Sequence, residues 1–208
     1  MIREIDADLV GLQEVDTGLR CDGLDQLDWL ARATGRLAVL GPCRETPGGH
    51  YGNAALLRRE PLAVRRHDLS VPGREPRGAL ELQLPFGPLP LTVVITHLGL
   101  KQSERRVQAE RLLAALLDRE GPLVVMGDFN DWRPGRPARG FLEARLGPGS
   151  RHPTYPALWP LFALDQLFAR PAGIVRRLYT LRSPAARLAS DHLPLVAELM
   201  PTINQKPS

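Results

Sequence analysis

Short apolar runs that end in polar residues recur along the chain. They are rich in valine, leucine and isoleucine and are bounded by glycine, proline or charged residues, which is typical of buried strands. The runs are Leu9–Leu12, Ala54–Leu57, Leu91–Thr96, Leu123–Met126, Leu164–Ala169 and Leu193–Leu199. The segment Ala79–Leu84 instead alternates apolar and polar residues, which predicts a strand with one face in solvent.

Two longer segments predict helices. The first covers about Leu24–Thr34 and stops at Gly35, a residue that commonly ends helices. The second covers about Ser103–Arg119, where Ser103 can cap the start and the Gly-Pro pair at 121–122 ends it. Several strands with few helices predict an α+β domain whose sheets pack face to face.

The long segment 131–160 is rich in proline, glycine and arginine. We expect a short helix around Phe141–Leu146 and otherwise loop, and such a loop beside a site often sets substrate specificity. One domain over residues 1–200 fits a chain of 208 residues. The polar segment 201–208 is expected to be a disordered tail.

Composition narrows the function classes only a little. The net charge is +4, from 27 basic and 23 acidic residues, which by itself does not argue for nucleic acid. No apolar run is long enough to span a membrane.

Cys21 and Cys43 allow one disulfide but no framework of bridges, so a reduced, cytoplasmic location is favoured. Because Met1–Ile5 reads as the end of a helix, upstream sequence is expected to be missing.

The segment Gly127–Asp131 follows a buried run and places a carboxylate and an amide at its end. Asp128 could position or deprotonate a water, and Asn130 could orient it. Glycine, aspartate and asparagine also favour turns, so taken alone the segment is better explained by a turn.

Polar residues that could belong to a catalytic site also lie at two further predicted strand ends. Asp191 precedes the last apolar run and suits a hard cation, while His192 suits a phosphate contact or a general base. A capped turn with a surface histidine explains this pair equally well. Glu14 ends the first run and suits a magnesium-type site, although taken alone it reads as an exposed strand-end glutamate.

A histidine and a buried aspartate complete the set. His97 ends a fourth apolar run, and a lone histidine there is more often structural; with no neighbouring cysteine, zinc is not indicated. Asp165 lies within an apolar run and needs a partner. An imidazole is a suitable partner, because a carboxylate can fix its tautomer and stabilise its cation.

Taken together and in order, these segments resemble the signatures of the endonuclease/exonuclease/phosphatase superfamily. The segments are Leu12-Gln13-Glu14-Val15, Thr96-His97, Gly127-Asp128-Phe129-Asn130, Leu164-Asp165-Gln166-Leu167-Phe168 and Ser190-Asp191-His192. Others resemble a branch of small bacterial hydrolases: Tyr51–Leu56, Glu75–Ala79, and His97–Leu100 with Glu104, Arg105 and Gln108. From these we expect Asn53 and Arg77 to contact substrate.

The resemblance implies a four-layer α/β sandwich of two mixed sheets between helices, with a Mg²⁺ or Mn²⁺ site at one end. Glu14 matches the metal-binding glutamate and Asp191 a second metal or water ligand. The matches to catalytic residues are Asp128 and Asn130 for the attacking water, His97 near the scissile phosphate, His192 as catalytic histidine, and Asp165 as the carboxylate that orients it. Family members usually begin with a strand ending in asparagine, for which this chain has no room before Glu14.

The resulting prediction is divalent-metal-dependent hydrolysis of a phosphate ester, preferably a phosphodiester, by an activated water. The substrate could be a small molecule, a lipid head group or nucleic acid, and no stable protein partner is implied. DNA is an alternative substrate, supported by arginines along the long loop: Arg133, Arg136, Arg139, Arg145 and Arg151. A second alternative is a truncated relative that only binds.

Overall fold

Twelve strands and five α-helices lie within residues 1–133 and 137–201, the part of the chain that the computed structural model describes. The strands are β1 (Leu9–Asp16), β2 (Arg20–Cys21), β3 (Leu24–Asp25), β4 (Leu37–Thr46), β5 (Gly49–Leu57), β6 (Ala63–Asp68), β7 (Gly78–Leu84), β8 (Leu91–His97), β9 (Leu123–Asp128), β10 (Asp165–Arg170), β11 (Val175–Thr180) and β12 (Leu195–Leu199). The helices are α1 (Ile2–Ile5), α2 (Gln26–Thr34), α3 (Gln102–Ala115), α4 (Pro137–Leu146) and α5 (Pro184–Ala189), with a 3₁₀ turn at Ala172–Ile174.

The strands form two principal sheets. The larger has the order β10-β9-β8-β7-β6, in which only β8 and β9 run parallel. The smaller has the order β1-β5-β4 and is antiparallel. A core between them joins Ala55 and Leu57 of the smaller sheet to Leu80, Ile95 and Val124 of the larger. The two sheets therefore pack face to face, as the apolar runs predict.

Helices cover the outer faces of both sheets. Leu112 of α3 and Leu142 of α4 pack on Val125 and Phe168 of the larger sheet, and Leu27 of α2 packs against the smaller sheet. This gives four layers, helix–sheet–sheet–helix, and confirms the expected α+β sandwich.

The helix ends differ partly from the sequence-based expectation. The predicted stop of α2 at Gly35 is confirmed, with a left-handed φ of 65°. The predicted cap at Ser103 is wrong, because α3 begins at Gln102 after Lys101 and makes no side-chain cap bond. That helix also ends at Ala115, four residues before the expected Arg119. The expected short helix starts earlier, at Pro137.

The predicted solvent face of β7 is also wrong. Glu81 is only 1% exposed because two arginines and a histidine close over it. Its carboxylate oxygens lie 3.0 Å from Arg65 Nη1, 2.7 Å from His67 Nε2 and 2.8 Å from Arg119 Nε. Alternation of apolar and polar residues cannot distinguish water from such a buried ion cluster.

Some expectations from the sequence concern residues outside the part of the chain that the structure describes. The expected tail beyond Pro201 lies outside the described residues, as does Arg136 of the long loop. Cys43 is a free thiol. None of the helices in the described ranges combines the length and apolar character needed to cross a membrane.

Candidate active site

Three neighbouring strands deliver polar side chains to one edge of the larger sheet. His97 ends β8 and Asp128 ends β9, and the parallel register sets these two residues side by side. Asp165 begins β10 directly opposite Asp128 in the antiparallel register. Residues at strand ends of one sheet share an edge, so the three groups meet although up to 68 positions separate them in the sequence.

Glycine is required just before Asp128. Gly127 has a φ of +141°, and a Cβ atom at this position would collide with the carbonyl oxygen of Thr96 on β8. Beyond it, Asn130 has a φ of 50°, which asparagine tolerates better than most residues. The Asn130 backbone N–H donates to Asp128 Oδ1 at 2.8 Å. The segment is therefore a turn, and that turn fixes the carboxylate.

His97 is a buried and uncharged imidazole. Asn130 Nδ2 donates to the Leu98 carbonyl at 2.9 Å and lies 3.1 Å from His97 Nε2. Asn130 Nδ2 can donate only to Nε2, and Arg77 Nη1, 3.5 Å away, can donate only to Nδ1, so the two neighbours favour opposite tautomers of the ring. Burial, with the charges of Arg77 and His192, lowers the pKa of His97 to about 3.

Asp128 holds its proton more tightly than an ordinary aspartate. Burial raises its pKa to about 6, and the nearby carboxylates of Asp165 and Glu14 add to this rise. The Asn130 backbone bond and the charge of His192 oppose it. At neutral pH the group is a carboxylate with unusual affinity for a proton, which suits it to accept one.

The predicted bond between Asp165 and His192 is confirmed. His192 Nδ1 lies 2.7 Å from Asp165 Oδ2. Burial lowers the pKa of His192, but the hydrogen bond and charge of Asp165, with Asp128 and Asp191, outweigh burial and raise it to about 9. The ring is therefore an imidazolium at neutral pH, with Nε2–H free of Asp165.

Glu14 reaches the site from the smaller sheet. The β1–β5 register shifts between Leu12 and Val15, and Glu14 adopts a φ of 59° within this irregularity. Its carboxylate is 61% exposed, with Oε1 3.8 Å from His97 Nδ1. The bulge thus turns this glutamate, which lies within β1, toward the histidine of the other sheet.

Asp191 lies beside His192 and is exposed. Its Oδ1 accepts from Ser190 Oγ at 3.3 Å, and its charge helps to raise the pKa of His192. Over residues 1–133 and 137–201, no three His, Cys, Asp or Glu side chains are grouped closely enough to form a metal cage. The acidic residues of the site therefore form a sparse and open set of oxygens.

The two expected substrate contacts have different surroundings. Arg77 is buried, with Nη1 3.5 Å from His97 Nδ1 and Nη2 2.9 Å from Glu75. Asn53 is buried in β5 and donates to the Gly78 carbonyl at 2.9 Å. Arg77 therefore faces the site directly, whereas Asn53 holds the neighbouring backbone of β7.

Three residues of the site were given no role from the sequence. Tyr155 stacks on His192 with ring centroids 4.9 Å apart, and the buried Thr154 hydroxyl accepts from the Asp165 backbone at 3.3 Å. Tyr51 lies against Glu14, and burial together with that carboxylate raises the pKa of Tyr51 to about 12. Tyr51 belongs to a segment that the resemblance singles out; Thr154 and Tyr155 lie in a proline-rich loop without periodicity.

Comparison with known proteins identifies a matching family model and a similar protein of known sequence. A family model described as "Endonuclease/Exonuclease/phosphatase family" matches residues 1–192. The uncharacterized protein YbhP of Escherichia coli is 32% identical over 232 aligned positions, covering 95% of this chain and 85% of YbhP.

Two solved structures share the fold. A functionally unknown conserved protein of Enterococcus faecalis has a TM-score of 0.80 at 22% identity, over 96% of this chain and 88% of that one. A mannosyl-6-phosphatase of Bacteroides thetaiotaomicron has a TM-score of 0.71 at 17% identity, over 96% and 88%. With the ordered strand-end residues and the sandwich, these matches show that the chain belongs to the endonuclease/exonuclease/phosphatase family, whose members are phosphoesterases and nucleases.

Proposed function

We propose that this protein hydrolyses a phosphate ester, preferably a phosphodiester, by a water that its own side chains activate. The observation that carries the proposal is the 2.7 Å bond between Asp165 and His192, beside a second carboxylate, Asp128, with its pKa raised to about 6. One group is held protonated and the other is ready to take a proton, which is the division of roles that acid–base catalysis needs.

The attacking water is placed by Asp128 and Asn130. Asp128 accepts the water proton as the new oxygen–phosphorus bond forms, and Asn130 keeps the turn around that carboxylate in place. His192 donates Nε2–H to a phosphate oxygen and meets the negative charge that develops there. Asp165 keeps that imidazolium oriented.

Neutral His97 and cationic Arg77 line the other side of the site. His97 offers a hydrogen bond without adding charge, because its pKa of about 3 keeps it neutral. Arg77 adds a fixed positive charge 3.5 Å from the His97 ring. Its Nε is buried without a partner among the described residues, so those residues leave this donor unused.

The residues present fit a Mg²⁺ or Mn²⁺ ion that keeps much of its water. Such ions use one or two carboxylates, and Glu14 and Asp191 are exposed carboxylates at the site. The pKa of Asp128 is raised partly by Glu14 and Asp165, so negative charge there is incompletely balanced, which a cation would correct. The bound ion would supply a Lewis acid that stabilises charge on the phosphate oxygens.

One contact supports the alternative that the substrate is DNA. Arg133 lies 4.7 Å over the ring of Trp132, in the long loop, and arginines and aromatic rings together bind single-stranded nucleic acid in other proteins.

The alternative that the protein only binds its ligand makes a different prediction. In that case the unaltered protein shows no turnover, and replacing His192 leaves substrate affinity unchanged. We further propose a cytoplasmic location, which suits the free thiol of Cys43.

A phosphoester panel tests the proposal. Sugar phosphates, phospholipid head-group esters, nucleotides and DNA are assayed with Mg²⁺, with Mn²⁺ and with excess chelator. We expect turnover of at least one ester that the chelator abolishes and either metal restores, and loss of that turnover in His192→Ala. Arg177→Ala, at an exposed surface pair with Glu198, is the matched control. Undiminished activity in excess chelator, or in His192→Ala, would refute the mechanism.

A further inference from the structure

An apolar rim borders the site on the side of His192. It consists of Leu158, Trp159, Leu161 and Leu188, whose side chains are 60% to 85% exposed. Large apolar side chains scattered singly on a surface are ordinary, but a contiguous group marks an interaction surface.

Contacts tie this rim to the site. The Leu161 backbone N–H donates to the Tyr155 carbonyl at 2.9 Å, and the Tyr155 ring stacks on His192. From α5, Arg187 Nη1 donates to the Leu158 carbonyl at 2.6 Å, which fixes the helix carrying Leu188 beside the loop. The rim is therefore held in place next to the catalytic imidazole.

Basic side chains lie in the segments that carry or adjoin the rim. Arg187 donates to the Leu158 carbonyl, Arg182 immediately precedes the cap of α5, and Arg151 lies in the same loop as Tyr155. Two acidic groups adjoin the rim, Asp191 and Glu4, and Glu4 accepts from Ser183 at the start of α5. The balance favours an anionic partner.

We propose that the rim docks the protein onto the surface of an anionic phospholipid bilayer, with the site facing the lipid head groups. Leucine side chains gain by leaving water for the acyl boundary, and a tryptophan prefers the interface itself. Nucleic acid is the poorer match, because it is held by aromatic stacking and three of the four rim residues are leucines. Only the orientation toward head-group esters rests on the proposed function.

Vesicle sedimentation in the presence of chelator tests this directly. The protein should sediment with vesicles of equal parts phosphatidylglycerol and phosphatidylcholine. A smaller fraction of the protein should sediment with vesicles of phosphatidylcholine alone. Added salt should weaken the binding, since it screens the arginines. Leu158→Ser with Trp159→Ser should weaken it at least about tenfold, from the apolar area lost.

Matched controls come from the opposite end of the larger sheet. Leu62 and Leu117 are each 62% exposed, and Leu62 adjoins Gln83 near the far end of β7. Leu62→Ser with Leu117→Ser removes similar apolar surface and should leave vesicle binding within about twofold of the unaltered protein, because neither residue touches the bilayer. If the rim double variant does not fold, Leu188→Ser is the second variant.

The results separate this inference from the proposed hydrolysis. Binding is measured without turnover, and the rim variant should still cleave any soluble ester that the unaltered protein cleaves. Equal binding to the anionic and neutral vesicles overturns the proposal, as does equal binding by the rim and control variants. If the protein binds single-stranded DNA but not vesicles, and the rim variant loses this DNA binding, the rim is assigned to nucleic acid instead.

Discussion

At the scale of single residues, the site separates the proton affinities of chemically similar groups. His97 and His192 differ in pKa by several units, with values of about 3 and about 9. Burial lowers both, but only His192 has a bonded carboxylate to outweigh it. Environment therefore makes one histidine a neutral donor and the other a cation.

Activity should follow a bell-shaped dependence on pH. It should rise as Asp128 loses its proton near pH 6 and fall as His192 loses its proton near pH 9. Asp165→Asn should reduce kcat at least about 10²-fold. It should also move the alkaline limb to lower pH, because Asp165 raises the pKa of His192. The pH dependence of kcat measures both effects, and an unmoved alkaline limb would contradict the assigned orienting role.

Glu14 should determine the response to metal. Glu14→Gln keeps the size of the side chain and removes its charge, so the Mg²⁺ concentration for half-maximal activity should rise roughly tenfold or more. Glu45→Gln, on β4 of the same sheet, is the control and should leave the metal titration unchanged. Identical titrations for Glu14→Gln and the unaltered protein would rule out Glu14 as a ligand.

At the scale of elements, Gly127 sets the junction of β8 and β9. Gly127→Ala should destabilise the fold by more than about 1 kcal/mol, because the residue needs φ of +141° and the added methyl group meets the Thr96 carbonyl. Gly140→Ala is the matched control, since it lies in α4 with open space around it. That change should be neutral or stabilise by up to about 1 kcal/mol. Urea unfolding compares the two, and equal effects would contradict the strain at Gly127.

Glu81 gives the second element-scale prediction. Burial raises its pKa, but bonds from Arg119, His67 and Arg65 outweigh burial and lower it. A lowered folded-state pKa stabilises the protein above the ordinary value of 4.5, and this stabilisation is lost as pH falls through the folded-state value.

Glu81→Gln should therefore cost about 3 kcal/mol at neutral pH, the lower end for breaking a buried ion pair, because Arg65 and Arg119 still reach water. Its stability should also depend less on pH in the acid range. Glu198→Gln breaks an exposed pair and should cost no more than about 0.5 kcal/mol. Denaturant unfolding at several pH values tests both, and similar costs for the two variants would contradict the cluster.

At the scale of the whole molecule, the sheets share one core. Residues of β5, β7, β8 and β9 meet in it, and β11 and β12 pack against it through Leu178 and Leu195. We therefore propose that residues 1–200 unfold as a single unit. Calorimetry should show one transition with equal calorimetric and van 't Hoff enthalpies, and two separate transitions would contradict a single domain.

The sequence alone predicted seven of the twelve strands in the described residues, three of the helices and the residue types of the candidate site, but it missed β2, β3, β4, β6 and β11. Apolar runs specify buried strands because a two-sided sheet excludes polar residues from its interior. Polar residues at the ends of those runs, including His97, Asp128 and Asp165, then had to meet at a sheet edge or remain unpaired in the interior. The Asp165–His192 bond was predictable for that reason.

Only the tertiary structure decided how distant segments face one another. The ion cluster over Glu81 and the contact of Arg77 with His97 depend on register and on packing between elements, which local pattern does not encode. The same holds for Tyr155 on His192 and for the exposure of the rim around Trp159. A side chain's periodicity shows on which face it lies, but whether that face meets water, an ion partner or apolar neighbours is set by what folds against it.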